Sequence, residues 1–145
     1  MSPVIITDGI LKNSDVQKFH LNSNSSIFQS TEMYEVYEKT KQYNPKFLTA
    51  YSKKTNEILG TLLSLSKTEK GGILQYLSTH ISIRGGPVFK KDFEGILALK
   101  GLLKYHSLFL SKRSVYNRIY NNQDIKKYQS VYEKESYNFE NYLNF

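Results

Sequence analysis

Two β-rich runs, FLTAY (47–51) and ILGTLLSLS (58–66), stand on either side of the polar stretch KKTNE. Nothing else in the chain constrains its fold as much. Aromatic, β-branched and long apolar side chains at this density suit a pleated surface, and the short Lys/Asn turn between the runs predicts an antiparallel hairpin. TEKGG (68–72) is a second turn signal and ILQYLS (73–78) reads as a third strand. HISIR (80–84) continues that strand or starts another before Gly85-Gly86-Pro87. An antiparallel run of strands in mid-chain favours α+β, or a mixed α/β sheet, over a doubly wound fold.

Helical patterns flank this run. Val4 to Thr7 is strand-like, a weakly amphipathic stretch surrounds Val16 and Phe19, and SNSS (23–26) is a loop. Ser30 is placed as an N-cap with Glu32 in the first turn, where the helix dipole favours an acid. Met33, Val36, Tyr37 and Thr40 then recur at helical spacing, which predicts a helix over 31–42 stopped by Asn44-Pro45. A longer helix runs from about Asp92, its N-cap, to about Ser111, with Phe93, Ile96, Leu97, Leu99, Leu103, Leu108 and Leu110 on a broad apolar face. Gly95 and Gly101 weaken it by ~1 kcal/mol each and mark close packing against strands. SVYNRIYN (114–121) reads as a strand with Tyr116 and Arg118 on one face and Val115, Asn117 and Ile119 on the other. Ile125, Tyr128, Val131 and Tyr132 give a short helix within 123–135, and YNFENYLNF (137–145) reads as a last strand.

The net charge of +7 raises the odds of an anionic partner, whether nucleic acid, phosphate ester or membrane surface. The lysines are dispersed with no run longer than two, so a solvated basic surface accounts for them equally well. Twelve tyrosines and no tryptophan fit a half-buried sheet; interleaved with basic residues they also suit base stacking. No stretch approaches the ~18–20 apolar residues of a membrane span. The N-terminus lacks a basic leader, and there is no cysteine, so a cytoplasmic location is the default. His20, His80 and His106 are far apart in sequence and outside any ligand motif, so no metal is expected. No GxSxG elbow, phosphate loop or dinucleotide fingerprint is present.

The ordered series is more informative than any one motif. SSIFQSTEMYEVYEKT, FLTAYSKKTNEILGTLLSLS, YLSTHISIRGGPVF, a long helix, SVYNRIYN, a short helix and NFENYLNF follow one another over residues 24–145. This series resembles the first acyltransferase-like subdomain of the Fem-type (FemABX) transferases, the lipid II:glycine glycyltransferases that build peptidoglycan bridges. It is also similar to FemAB-related proteins of the wider GNAT superfamily. Phe28, Gln29, Ser30 and Tyr34 match the family's opening, and Arg84 to Val88 match its Gly-Pro-Val turn. The resemblance implies an α+β, GNAT-like fold with a mixed, mostly antiparallel sheet flanked by helices, and residues 1–145 as a single GNAT-like domain. It implies acyl or aminoacyl transfer linked to the cell wall or to polysaccharide, from an aminoacyl-tRNA or acyl-CoA donor. Fem-type enzymes carry two such subdomains, so a second GNAT-like subdomain or a homodimer mate would complete the cleft.

The substrate-binding candidates are Gln29, Tyr37, Arg84, Gly85, Gly86, Tyr116 and Arg118; no catalytic residue is assigned. For Gln29, helix capping stands beside substrate contact. For Gly85-Gly86, a structural turn stands beside cleft-lining backbone, and for Arg84 a surface ion pair stands beside a bidentate grip on phosphate or carboxylate. Tyr116 and Arg118 serve sheet packing or an exposed ligand platform, and His106 reads as a partly buried or surface histidine. Two positions depart from the family: Tyr37 stands where members often have lysine, and Tyr120-Asn121 where many carry an acid. The coenzyme-A loop of typical acetyltransferases is missing, and Pro87 removes an amide from the turn that resembles it. Three functional classes stay open: half of a Fem/GNAT-like transferase, a degenerate non-catalytic GNAT-like module or truncated product, and a basic nucleic-acid binder.

Overall fold

In the computed structural model, which describes residues 3–69, 71–112 and 114–140, the expected hairpin is the centre of the sheet. Strands β2 (Tyr43–Ser52) and β3 (Ile58–Thr68) pair antiparallel from Tyr43↔Lys67 to Tyr51↔Ile58. The strand order is β1 (Val4–Asp8), β2, β3, β4 (Thr79–Gly85), β6 (Tyr116–Asn121), and the two-residue β5 (Val88–Phe89) also pairs with β3. Every pairing is antiparallel except β4 with β6. Pro45 stands inside β2, although the sequence pattern marks it only as a helix stop. Pairing with β1 ends at Asp8↔Leu48, so the missing N–H of Pro45 breaks no ladder bond on that side.

Helices α1 (Asn13–Asn22) and α2 (Thr31–Glu38) cover one face of the sheet, with Val16, Phe19 and Tyr37 packed on Phe47, Leu63 and Leu65. The next helical segment, α3, is a single turn (Gln75–Ser78). Helix α4 (Phe93–Tyr105) covers the other face, where Ala98 and Leu102 meet Leu48, Ala50, Leu62 and Ile83. Each of these buried leucines contributes ~1.5–3 kcal/mol of burial. A 3-10 turn (Lys126–Tyr128) and helix α5 (Gln129–Lys134) bring Tyr128 and Tyr132 against Phe89 of β5 and Leu99 and Leu103 of α4. Both expected caps are present: Ser30 Oγ accepts from Met33 N, and Asp92 Oδ1 accepts from Gly95 N. Gly101 lets α4 approach Ile6 of β1, and Gly95 lies against the backbone of Lys90.

Several boundaries differ from the sequence-based expectation. ILQYLS is not a strand but a 3-10 turn (Gly72–Leu74) followed by α3, and Ile73, Leu74 and Leu77 are exposed. A strand there would need a partner, and the end of β3 is already paired with Thr79 and His80 of β4. The first predicted helix ends at Glu38, short of 42, and α4 gives way to a π-helical turn over His106–Leu110. Residues 137–140 are irregular where a last strand was expected, and 141–145 lie outside the described residues.

Candidate functional site

The sheet is interrupted where β4 turns into β5. β3 pairs with β4 as far as Leu65↔Ser82 and resumes with β5 at Thr61↔Val88. Leu62, Leu63 and Ser64 therefore stand opposite the longer segment from Ile83 to Pro87, which bulges away. Backbone groups left inside such a gap need partners, because an unpaired buried amide costs about 1–3 kcal/mol. Gln29, fully buried, supplies them. Its Oε1 accepts from Leu63 N at 2.7 Å, and its Nε2 donates to Leu63 O at 3.1 Å and to Arg84 O at 2.7 Å. The side-chain amide takes the place of a missing peptide unit of a neighbouring strand.

The same gap explains the two glycines. Gly85 and Gly86 have φ of 85° and 75°, a region that side chains rarely tolerate. A Cβ on Gly85 would lie 2.6 Å from Ser26 Cβ, and one on Gly86 would lie 2.2 Å from Asn121 Oδ1. The turn is thus required twice over, by conformation and by contact.

Beside Ser26, between α1 and α2, a cavity of about 430 Å³ opens. Gln17, His20, Asn24, Ser25, Ser26 and Glu32 contribute its polar lining. His20, one of the lining residues, is buried on α1 beside Phe19 and Phe47, and its Nε2 lies 2.7 Å from Thr61 Oγ1 of β3. Burial pushes the imidazole down to about 4, with the Glu32 charge opposing, so His20 is neutral at neutral pH. Glu32 is held below the usual carboxylate range by its own backbone amide first and also by Gln17, Ser30 and Thr31. A carboxylate and a neutral imidazole facing one polar cavity can hold an amine and accept the more acidic proton that its nitrogen carries after it has attacked a carbonyl.

On the opposite side of the gap, beyond Val88, an aromatic contact borders a second cavity. Phe89 and Tyr128 meet edge to face at 4.9 Å, and Lys91 Nζ sits 3.8 Å from the Phe89 ring centroid. Burial lowers the pKa of Lys91. Asp92 caps α4 with its own carboxylate, so the positive end of that helix already carries an anion. That cavity, of about 820 Å³, lies between α1 and the start of α4, with Lys18, Asn22, Phe89 and Lys91 among its lining. Asn24 borders both cavities, and its carbonyl accepts from Gln123 Nε2 at 3.4 Å.

No family model matches the sequence, and no curated protein matches it. Solved structures do match in shape. Glucosamine-6-phosphate N-acetyltransferase from Arabidopsis thaliana superposes with a TM-score of 0.61 at 13% identity, over 97% of both chains. Ribosomal-protein-alanine N-acetyltransferase from Brucella melitensis biovar Abortus 2308 gives 0.59 at 14% identity, over 98% of both. A transcriptional regulator from Bacillus halodurans C-125 gives 0.59 at 11% identity, over 98% of this chain and 99% of that one. The fold is that of the GNAT-type N-acetyltransferases. The expected GNAT-like architecture is therefore present, at identities that establish the fold alone.

Within this GNAT fold the seven sequence candidates fall into three places. Gln29, the carbonyl of Arg84, Gly85 and Gly86 meet at the sheet gap. Tyr37 is buried against Tyr43 with ring centroids 5.2 Å apart. Tyr116 and Arg118 lie on the exposed face of β6, together with the Arg84 side chain across on β4. Arg84 forms no ion pair among the described residues. His106, expected to be partly buried or at the surface, is fully buried: Nε2 lies 2.8 Å from Ser64 Oγ and Nδ1 2.7 Å from Tyr137 Oη. His20 and Glu32 do not stand out from the sequence as site residues, although Val16, Phe19 and His20 at i, i+3 and i+4 place that histidine on the buried stripe of α1. No described helix is long and apolar enough to cross a membrane, and no metal-binding group of three acidic, histidine or cysteine residues occurs among the described residues.

Proposed function

We propose that this chain acts as a GNAT-like N-acyltransferase domain whose acceptor amine enters the 430 Å³ cavity between α1 and α2. The observation that carries the reading is the neutral His20 in the lining of that cavity, which the Glu32 carboxylate also lines. Glu32 holds the amine as a cation. That cation gives one proton to solvent water; the neutral amine then attacks the acyl carbonyl, a C–N bond forms, and His20 takes the acidic proton left on the nitrogen and passes it to the leaving group. The leaving thiolate or alkoxide accepts that proton as the acyl bond breaks. His20 Nε2 is engaged by Thr61, so Nδ1 must be the acceptor, in the tautomer whose Nε2–H donates to Thr61.

The donor is an acyl-CoA thioester or an aminoacyl-tRNA ester. Asp92 Oδ1 accepts from Gly95 N at the start of α4, so the positive end of that helix is already met by a carboxylate and repels a diphosphate in the cavity beside it. That favours the aminoacyl ester, in keeping with the Fem-type resemblance and a cell-envelope acceptor. Incubation with labelled acetyl-CoA and with labelled aminoacyl-tRNA, each with an amine panel, tests this reading. Transfer from either that His20→Ala lowers by about 100-fold or more supports it; transfer unaffected by that substitution removes His20 from the chemistry. A second reading, a GNAT-fold binding module without transfer activity, is favoured by the same Asp92 cap. Binding of neither donor in calorimetry, with no transfer, would decide for it.

A further inference from the structure

The face of β4 and β6 that continues beyond α1 and α2 carries an unusual set of side chains. In parallel register, His80 stands beside Tyr116, Ser82 beside Arg118 and Arg84 beside Tyr120. The opposite face is core, with Ile81 and Ile83 buried. On the outer face Tyr116 and Tyr120 are 50% and 45% exposed, where two tyrosines on an ordinary sheet would be packed. No described helix covers them, since α1 and α2 sit over β2 and β3. His80 stacks on Tyr116 with ring centroids 5.4 Å apart and planes 11° from parallel, and the Arg118 guanidinium lies 5.4 Å over the same ring.

We propose that this face is a docking platform for single-stranded nucleic acid. The six positions include two guanidinium groups, two half-exposed tyrosines and an imidazole, and no acid. Guanidinium groups engage phosphate, and exposed rings or guanidinium planes stack unpaired bases without regard to sequence. Tyr116 and Tyr120 are about 13 Å apart along the strand, and adjacent strands lie ~4.8 Å apart. That span holds two or three splayed bases, the number that aromatic side chains on exposed sheets stack in other RNA-binding folds. A duplex, whose bases are already stacked, cannot use such rings. The net charge of +7 supplies long-range attraction, while the platform supplies the preference for unpaired strands. The platform is independent of the transferase reading, because binding is measured without any donor or acceptor.

Fluorescence anisotropy with labelled rU12, dT12 and a 12-base-pair DNA duplex tests the proposal over a range of salt concentrations. At least one single strand should bind about tenfold more tightly than the duplex, and comparison of rU12 with dT12 separates RNA from DNA as the source. Tyr116→Ala/Tyr120→Ala should weaken that binding about 10- to 100-fold. Tyr116→Leu/Tyr120→Leu, which keeps an apolar body on the sheet, should do the same while the chain stays folded. Arg84→Gln/Arg118→Gln should flatten the log–log salt slope by about 1.4, roughly 0.7 for each phosphate that is no longer neutralised. Lys100→Gln/Lys104→Gln on α4, which removes the same amount of charge, should change affinity less than about threefold. Equal binding of the duplex would overturn the proposal, as would equal weakening by the lysine and tyrosine pairs. So would a tyrosine variant that abolishes self-association in sedimentation and leaves oligonucleotide binding unchanged, because the face would then belong to a second copy.

Discussion

Two histidines sit on opposite faces of β3, each against a hydroxyl of that strand. His20 meets Thr61 at 2.7 Å and His106 meets Ser64 at 2.8 Å. Burial pushes both down to about 4, so both are neutral at neutral pH. Their second neighbours differ. His106 Nδ1 bonds Tyr137 Oη, which closes the chain Ser64–His106–Tyr137 inside the protein. His20 lines a cavity that Glu32 also faces. The same dyad is thus a structural pin on one face and a candidate proton acceptor on the other. The environment, not the residue type, decides which.

The element both sides depend on is Gln29, which closes the sheet between them, and its removal should have the largest effect. Gln29→Leu fills a similar volume but leaves Leu63 N, Leu63 O and Arg84 O without their partner. A destabilisation of about 4 kcal/mol is expected in denaturant titration, against less than about 1 kcal/mol for the exposed Val36→Ala. Near-neutral behaviour of Gln29→Leu would mean that the gap closes without it.

His106→Leu comes next, at about 3 kcal/mol, because Ser64 and Tyr137 are both deprived of a buried partner. Thermal melting should fall by roughly 10 °C for a chain of this size. The comparison predicts the reverse split for His20→Ala: stability lower by about 1–2 kcal/mol, but transfer down by about 100-fold or more with either labelled donor. A His106 variant that remained folded at the assay temperature should keep most of its activity. An equal fall in activity at the two histidines would break the distinction.

Local signals made part of this legible beforehand. The hairpin, the Ser30 and Asp92 caps and the two-residue parity of Tyr116 and Arg118 rest on neighbours close in sequence. The roles of Gln29 and His106 depend on partners 34, 55 and 42 residues away, which no window along the chain contains. Gly85-Gly86 announced a turn, but only the fold brings Ser26 and Asn121 against it. ILQYLS misled because its apolar residues suit a strand, while Ile73 and Leu77 are 91% and 73% exposed and bury no core face. Tyr137 has the pattern of a strand's first residue; its hydroxyl instead seals the buried histidine.

The smallest expected difference, and the sharpest test of the comparison, lies between the two histidines in the pH dependence of stability. Each histidine titrates at about 4 in the folded chain and near 6.5 when unfolded. Between those values the unfolded chain binds more protons, so stability falls as pH is lowered from 6.5 to 4 and is flat above that window. For His106 the slope approaches ~1.4 kcal/mol per pH unit. His20 borders a water-accessible cavity beside Glu32, so screening makes its share smaller. Urea titrations of the parent, His106→Leu and His20→Gln at pH 5 and 7 separate the two. His106→Leu should remove more of the acid-side slope than His20→Gln does. Equal slopes in both variants would show that the cavity is as dry as the core, and His20 could not then be the group that exchanges protons with an acceptor.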